Sequence, residues 1–321
     1  MHTHNAPSST AARFDPTTIP STTSLTITLH YSHPPPCPTS PTTTPPPLPP
    51  NLTHPTPHDT TPALHRALTY STRHRLHYTT HLLNSGSPAS ARDPQLNTPL
   101  HILAARTPCA VNTCIVRLLL QPQYGADHDA LNAAGYTPLH VAVKRGNEDV
   151  ARALLVGGAG VDVRCGCGGG TALHIAARRG WESGVALLLA AGASVGVQDR
   201  MGATPLHVAG RMGDAGVGVA RLLMGAGADV NVQDGEGRSV VHVMAMAGSV
   251  EGVRMCLERE ADLEVRDVGG RTAGMVDWRF AVDTVRFEER RRRMGVTVGV
   301  RAAGASGEER EGKALLKPAS C

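Results

Sequence analysis

Apolar residues recur through the middle of the chain with the spacing of two short amphipathic helices separated by a glycine. In residues 137–171, Leu139 and Val143 fall on one helical face, and Val150 and Leu154 fall on a second. The polar positions between them predict that the opposite face of each helix meets solvent. One pair of helices this short cannot bury its apolar face alone, so copies of the pair must stack.

The ends of these two helices carry their own signals. Thr137 is suited to cap the first helix, and Pro138 follows at the first helical position, where its missing N–H costs nothing. Gly146 can adopt the left-handed conformation that ends a helix. Asn147 is suited to cap the second helix, which Gly158 then ends. The unit is therefore helix, tight turn, helix and loop.

The same unit recurs along most of the sequence, opened each time by Thr-Pro-Leu-His or a close variant. Successive motif histidines, from position 65 to position 242, lie 36, 39, 34, 33 and 35 residues apart. The motif residues are Thr98, His101, Thr137, His140, Thr171, His174, Thr204, His207 and, in a weaker copy, His242. A period near 33 with this motif resembles the ankyrin repeat.

The resemblance implies an all-α fold, an ankyrin-repeat solenoid of stacked helix-turn-helix units with projecting loops, and we expect disordered termini. It covers residues 58–295. The expected copies span 58–92, 93–131, 132–165, 166–198, 199–233, 234–266 and 267–295, the outer two being degraded caps. Residues 1–57 are rich in Thr, Pro and Ser and read as a disordered tail, and 296–321 read as a flexible tail.

Two copies depart from the pattern. The second copy carries about six extra residues, which we expect as a loop between its helices around 107–110. In the sixth copy, Glu260 stands where a helix-ending glycine is expected. A left-handed residue other than glycine costs about 1 kcal/mol, so this copy should be weaker.

Composition narrows the class of protein. Aromatic residues make up 3% of the chain and the formal net charge is +4, a mild value that makes nucleic acid an unlikely partner. The seven cysteines do not follow the repeat, so a disulfide framework is not expected and a reducing compartment is favoured. The sequence offers no secretory signal and no membrane span. We expect a cytoplasmic or nuclear monomer that is not secreted.

A basic stripe provides the strongest functional signal. The two positions before the inter-helix glycine hold cations in three successive copies, and the resemblance implies that this helix end lines a concave groove. The stripe residues are Lys144, Arg145, Arg178, Arg179 and Arg211, with Arg106 and Arg279 as extensions at either end. Such a stripe suits an acidic or phosphorylated peptide. The alternative is a solvated face that keeps the surface polar.

The loop tips supply a second set of candidates for partner binding. Several large or charged residues precede or flank the Thr-Pro-Leu-His turn. They are Tyr136, Arg200, Met201, Arg238 and Arg271. Tyrosine and arginine are common at the centres of protein interfaces.

Several other motifs are better explained by a structural role than by a metal or ligand site. Cys165 and Cys167 form a single close pair, whereas zinc needs four ligands, and the glycines of 166–171 lack the lysine of a phosphate-binding loop. His74, His77 and His81 have no acidic or cysteine partner nearby. Residues 288–293 read either as a nuclear-import cluster or as a solvated cap helix.

The sequence therefore predicts a non-catalytic protein–protein interaction module, an adaptor or scaffold that binds its partner on the concave groove and loop tips. The alternative is binding of an anionic polymer or lipid headgroup by the stripe and Arg290–Arg293. An enzyme is not expected, because no acid, base or nucleophile accompanies the repeated histidines. We expect no cofactor, no metal and no small-molecule substrate.

Overall fold

The computed structural model describes residues 47–49, 52, 61–70, 72–166 and 168–276. Apart from 47–49 and 52, the predicted N-terminal tail lies outside these residues. The predicted C-terminal tail, most of the seventh copy, Arg279, Cys167 and the cluster at 288–293 also lie outside them. All regular structure in the described part is helical, with no strand, so the all-α prediction is confirmed.

Thirteen α-helices occur in the described residues, two in each complete copy. They are α1 (Ala63–Thr69), α2 (Thr72–Asn84), α3 (Pro99–Ala105), α4 (Ala110–Leu119), α5 (Pro138–Arg145), α6 (Glu148–Val156), α7 (Ala172–Arg178), α8 (Glu182–Ala190), α9 (Pro205–Gly210), α10 (Val217–Gly225), α11 (Val240–Met246), α12 (Val250–Glu258) and α13 (Ala273–Val276). A 3-10 turn, Gly213–Gly216, precedes α10.

The helices form two layers within the stack. The first helix of each copy packs against the first helix of the next, from α1 through α3, α5, α7, α9 and α11 to α13. Second helices form the other layer, in which α2, α4 and α6 pack in sequence, as do α8, α10 and α12. Each copy therefore buries its apolar face against its neighbours, which is the stacking that the sequence pattern requires.

The third copy shows why the sequence begins and ends its helices where it does. The hydroxyl of Thr137 accepts a hydrogen bond of 3.3 Å from the backbone N–H of His140, and Pro138 opens α5. Gly146 ends α5 with φ of +73°. The side chain of Asn147 then accepts a bond of 3.4 Å from the N–H of Val150 at the start of α6. The predicted capping residues of this copy are confirmed.

The core between the layers is made of leucines and alanines rather than aromatic rings. The motif leucines Leu100, Leu139, Leu173 and Leu206 are at most 1% exposed. Each fully buried leucine contributes about 1.5–3 kcal/mol relative to an exposed one. Small buried alanines, such as Ala142, lie beside them and let adjacent helices approach closely.

Among the residues that the structure describes, two other than glycine adopt left-handed backbone conformations. Glu260 has φ of +58°, which confirms the prediction that it occupies the position of a helix-ending glycine. Leu96 has φ of +57°, at the loop position that Gly135 and Gly202 hold in other copies. The strain at Leu96 was not foreseen.

Only part of the extra length of the second copy lies between its helices, where the loop was expected. Only residues 106–109 separate α3 from α4, against 146–147 between α5 and α6, and Ala110 already lies in α4. Part of the added length instead forms a turn after α4. The hydroxyl of Tyr124 in this turn donates a bond of 2.9 Å to the side chain of Asn84, so the turn packs back onto the first copy.

Candidate functional site

The motif histidines connect each repeat to the next. In His101, Nδ1 accepts a bond of 3.1 Å from the backbone N–H of Thr98, so the ring proton resides on Nε2. That Nε2–H donates across 2.9 Å to the backbone carbonyl of Tyr136 in the following copy. Equivalent bonds of 3.1 Å join His174 to Ala203, His207 to Arg238 and His242 to Arg271. These histidines are structural ties.

His140 is the exception in this series. Its side chain is buried, yet its Nε2 atom has no hydrogen-bond partner. Burial lowers its pKa to about 4, and the nearby backbone carbonyl of Gly170 offsets only part of that shift without reaching bonding geometry. The loop that ends at Gly170 is one residue longer than its counterparts, which explains the misplaced carbonyl.

An acidic or amide side chain fixes the loop that precedes most motifs. The Oδ1 atom of Asp199 accepts bonds of 2.8 Å from the N–H of Met201 and 3.0 Å from the N–H of Ala203. The same pattern of acceptor side chains occurs at Asp93, Asn132 and Asp234. Cys165 replaces this residue in the loop that leads into the fourth copy, which accounts for the different loop there.

A cavity of about 560 Å³ lies between the second and third copies. It is formed by the two loops and by the α3 and α5 helices, including the ends of both. Its lining is Asn97, His101, Ile102, Ala105, Arg106, Asn132, Ala134, Tyr136, Val141, Lys144 and Arg145. The structure therefore brings together five of the residues singled out from the sequence: the motif residue His101 and the binding candidates Arg106, Tyr136, Lys144 and Arg145.

The cavity is positively charged. None of its lining residues is acidic, and Arg106, Lys144 and Arg145 form no ion pair with a described carboxylate. The Nζ atom of Lys144 lies 4.6 Å from the centroid of the Tyr136 ring, a cation–π contact that orients both side chains. The arrangement can bind an anion through charge-assisted hydrogen bonds.

The remaining stripe residues differ in whether their charged groups already have a hydrogen-bond or ion-pair partner in the structure. Arg178 ends α7 and is exposed. The guanidinium of Arg179 reaches back across Gly146 and donates a hydrogen bond to the backbone carbonyl of Lys144. Arg211 lies 3.5 Å from the carboxylate of Asp234, whose side chain is only 1% exposed. Unneutralised charge is therefore concentrated toward the second, third and fourth copies.

The loop-tip candidates also separate into two kinds. Arg200 and Met201 are exposed, and the backbone N–H of Arg200 donates a bond of 3.0 Å to the Gly168 carbonyl. Arg238 is different, because its side chain is 14% exposed and forms ion pairs of 2.8 Å with Asp234 and 2.9 Å with Glu236. Its expected role as an open contact residue does not fit this geometry, since it stabilises its own loop.

The same i,i+4 pairing recurs one copy later, where Arg271 lies 2.8 Å from the carboxylate of Asp267. Sequence reasoning missed these ion pairs, although their spacing is regular.

The sequence analysis also missed the apolar part of the cavity, Ile102 and Val141. Each directly follows a motif histidine, and that register is the signal that would have identified both.

The structure adds no support for a metal site at the other candidate residues that it describes. Within the described residues, no group of three or more His, Cys, Asp and Glu side chains could hold a metal ion. Cys109 and Cys256 are free thiols, whereas Cys114 is disulfide-bonded. No helix in the described part is both long enough and apolar enough to cross a membrane.

Comparison with known proteins agrees with this architecture. A family model of ankyrin repeats (three copies) matches residues 64–165 and 154–234. The crystal structure of the ankyrin repeat domain of Bcl-3, a unique member of the IkappaB protein family, is 29% identical, with a TM-score of 0.61. That match covers 70% of this chain and 97% of the Bcl-3 chain.

A second solved structure, the human ASB11 ankyrin repeat domain, is 23% identical with a TM-score of 0.54, and it supports the fold alone. The match covers 66% of this chain and 90% of that one. Ankyrin repeats are generally protein–protein interaction modules and are typically non-enzymatic. The family model spans more than half of the sequence, and the motif, the period and the stacked helix pairs agree with it, so this chain belongs to the ankyrin repeat family.

Proposed function

We propose that this protein is a non-catalytic adaptor or scaffold that binds an acidic or phosphorylated segment of a partner protein. The segment lies along the ends of the first helices, over the basic stripe, and extends onto the exposed loop tips at Arg200 and Met201. The observation that carries the proposal is the group of unneutralised cations Arg106, Lys144, Arg145 and Arg178 on successive copies. Charge-assisted bonds from these side chains favour carboxylates and phosphates.

The spacing of the stripe suits an extended peptide. Packed helices lie about 8–10 Å apart, so successive copies present their cations at roughly that interval. An extended chain advances about 3.3 Å per residue, so every third residue of a peptide meets the next copy. A segment with acidic or phosphorylated residues three apart would match the stripe best.

The groove is also held in one shape before a partner arrives. The loop carboxylates, the histidine ties and the Arg179 bond to Lys144 all connect one copy to another or fix a loop. A preorganised surface pays less ordering entropy on binding, which raises affinity for a given contact area. This rigidity supports recognition by the groove rather than by a segment that folds on contact.

A peptide-display selection with the full chain tests the proposal. We expect enrichment of acidic sequences by the parent and loss of that enrichment in the variant with Lys144→Glu, Arg145→Glu and Arg178→Glu. The matched control carries Arg117→Glu, Arg152→Glu and Arg221→Glu, which changes the charge equally on exposed positions of second helices. Circular dichroism establishes that both variants fold.

Equal loss of enrichment in both variants would show that net charge, not the groove, attracts the peptides. Enrichment of sequences without acidic residues by the parent would contradict the proposal outright. Retention of sequence-independent binding to anionic polymer, steeply weakened by salt, would favour a polyanion site instead.

A further inference from the structure

We infer that the cavity between the second and third copies binds a phosphorylated tyrosine side chain of the partner segment. The inference rests on the proposed function and names the residue that the groove would select most strongly. Its basis is the combination of apolar walls and unneutralised cations within one cavity. The cavity residues for this purpose are Ile102, Ala105 and Val141 on the apolar side and Arg106, Lys144 and Arg145 on the charged side.

The size of the cavity argues for a ligand larger than a phosphate group. At about 560 Å³ it exceeds many times the roughly 30 Å³ that one water molecule occupies in the liquid. A phosphorylated serine has a short side chain, so its phosphate would meet the cations and leave Ile102 and Val141 uncovered. An aromatic ring between backbone and phosphate would fill that apolar part and remove it from water.

The charged side fits the phosphate. A phosphorylated tyrosine carries about −1.5 to −2 charge at pH 7, and its three oxygens accept several hydrogen bonds. Arg106 and Arg145 offer two planar guanidinium groups that can bond such oxygens in pairs, and Lys144 adds a third cation. The absence of an acidic residue from the lining means that no carboxylate of the cavity repels the dianion or occupies the cations.

The remaining walls are fixed and polar. The side-chain N–H of Asn132 donates a bond of 3.0 Å to the side-chain oxygen of Asn97, and its own oxygen accepts a bond of 3.0 Å from the Tyr136 N–H. These bonds hold the loop side of the cavity in place, while Lys144 is positioned against the Tyr136 ring. A pocket with fixed walls discriminates by ligand shape as well as by charge.

The equivalent position between the third and fourth copies has different side chains. Gly170 occupies the position of Tyr136, and Arg179 reaches back toward Lys144. Of these two positions, only the one between the second and third copies combines an aromatic wall with cations that have no described carboxylate partner. A phosphorylated tyrosine would consequently set the register of the bound segment.

Fluorescence anisotropy with the full chain tests this inference. Four labelled peptides share one acidic sequence and differ at a single position, which holds tyrosine, phosphotyrosine, phosphoserine or glutamate. We expect the phosphotyrosine peptide to bind at least about tenfold more tightly than the phosphoserine peptide, because only its ring covers the apolar wall. Ala134→Leu narrows the cavity and should remove that preference, whereas Ala133→Leu, on an exposed neighbour outside the lining, should retain it.

The outcomes separate this inference from the proposed function. Equal affinity for the phosphotyrosine and phosphoserine peptides, with both weakened by Lys144→Glu and Arg145→Glu, overturns the tyrosine assignment and leaves the acidic groove standing. Failure of every acidic peptide to bind overturns both. A preference for phosphotyrosine that survives Ala134→Leu places the aromatic ligand elsewhere and also overturns the inference.

Discussion

His101 donates a hydrogen bond of 2.9 Å from Nε2 to the backbone carbonyl of Tyr136, and both residues line the cavity of the groove. The motif that joins two repeats therefore also fixes the distance between two walls of the candidate site. This contact therefore links the stability of the stack to the shape of the binding site. The equivalent position His140 forms no such bond, so it serves as a natural control for the contribution of the bond in the other repeats.

The first prediction compares two equivalent histidines. His174→Ala and His140→Ala remove the same side chain from the same place in successive repeats, but only His174 bonds the next repeat. We expect the His174 variant to lose more free energy of unfolding, by about 0.5–1.5 kcal/mol, the net value of one hydrogen bond. Urea unfolding of the two variants measures the difference. Equal losses would show that the inter-repeat bond contributes nothing.

The second prediction concerns pH. Burial lowers the pKa of His101, His174 and His207, and lowers that of His140 to about 4. The unfolded chain, with histidine pKa near 6.5, then binds more protons than the folded chain as the pH falls. The free energy of unfolding should be fully retained above pH 6.5 and should fall as the pH drops from about 6.5 toward 4.

Urea unfolding at a series of pH values measures this dependence. The variant His140→Gln removes one of the titrating groups and should reduce the slope between pH 6.5 and 4. A free energy of unfolding that stays constant over that interval, or rises as the pH falls, would contradict the prediction.

The third prediction uses the left-handed residue Glu260. Glu260→Gly should raise the free energy of unfolding by up to about 1 kcal/mol, because glycine adopts positive φ without the steric penalty. The reciprocal change, Gly192→Glu, occupies the matching position two repeats earlier, where φ is +85° and no atom lies within 4 Å of an added Cβ. It should lower stability by a similar amount. Thermal and urea unfolding that shift the same way in both variants would exclude backbone strain as the cause.

The fourth prediction separates unneutralised from neutralised cations. Arg178→Gln should weaken binding of an acidic peptide several-fold, because the Arg178 side chain has no described carboxylate partner. Arg211→Gln should weaken it less than about twofold, since Asp234 already neutralises much of the Arg211 charge. Anisotropy titrations at low salt measure both. A larger loss from Arg211→Gln would move the binding surface toward the fifth and sixth copies.

The local structure of the repeats could be predicted because it depends on residues close together in sequence. Thr137, Pro138, Gly146 and Asn147 act within their own turn, and Glu260 takes the conformation that its position in the repeat requires. Such signals need no knowledge of the neighbouring copy.

The candidate site could be predicted only in part, because it depends on how side chains from two copies meet. The positions of Lys144 and Arg145 at the helix end followed from the repeat register. The pairing of Arg211 with Asp234 and the return of Arg179 toward Lys144 did not, since they depend on side-chain direction across an interface. Predicting the cavity would also require the distance between two adjacent loops, which the sequence alone does not give.

Photo-crosslinking of an acidic peptide to the full chain tests most directly whether the groove is the binding surface. A peptide obtained from the display selection would carry a photoreactive residue at its centre, and mass spectrometry would locate the crosslinked residues. We expect crosslinks at the C-terminal ends of α3, α5 and α7, within 102–106, 141–145 and 175–179. Crosslinks confined to the second helices, such as α4, α6 and α8, would contradict binding in the groove.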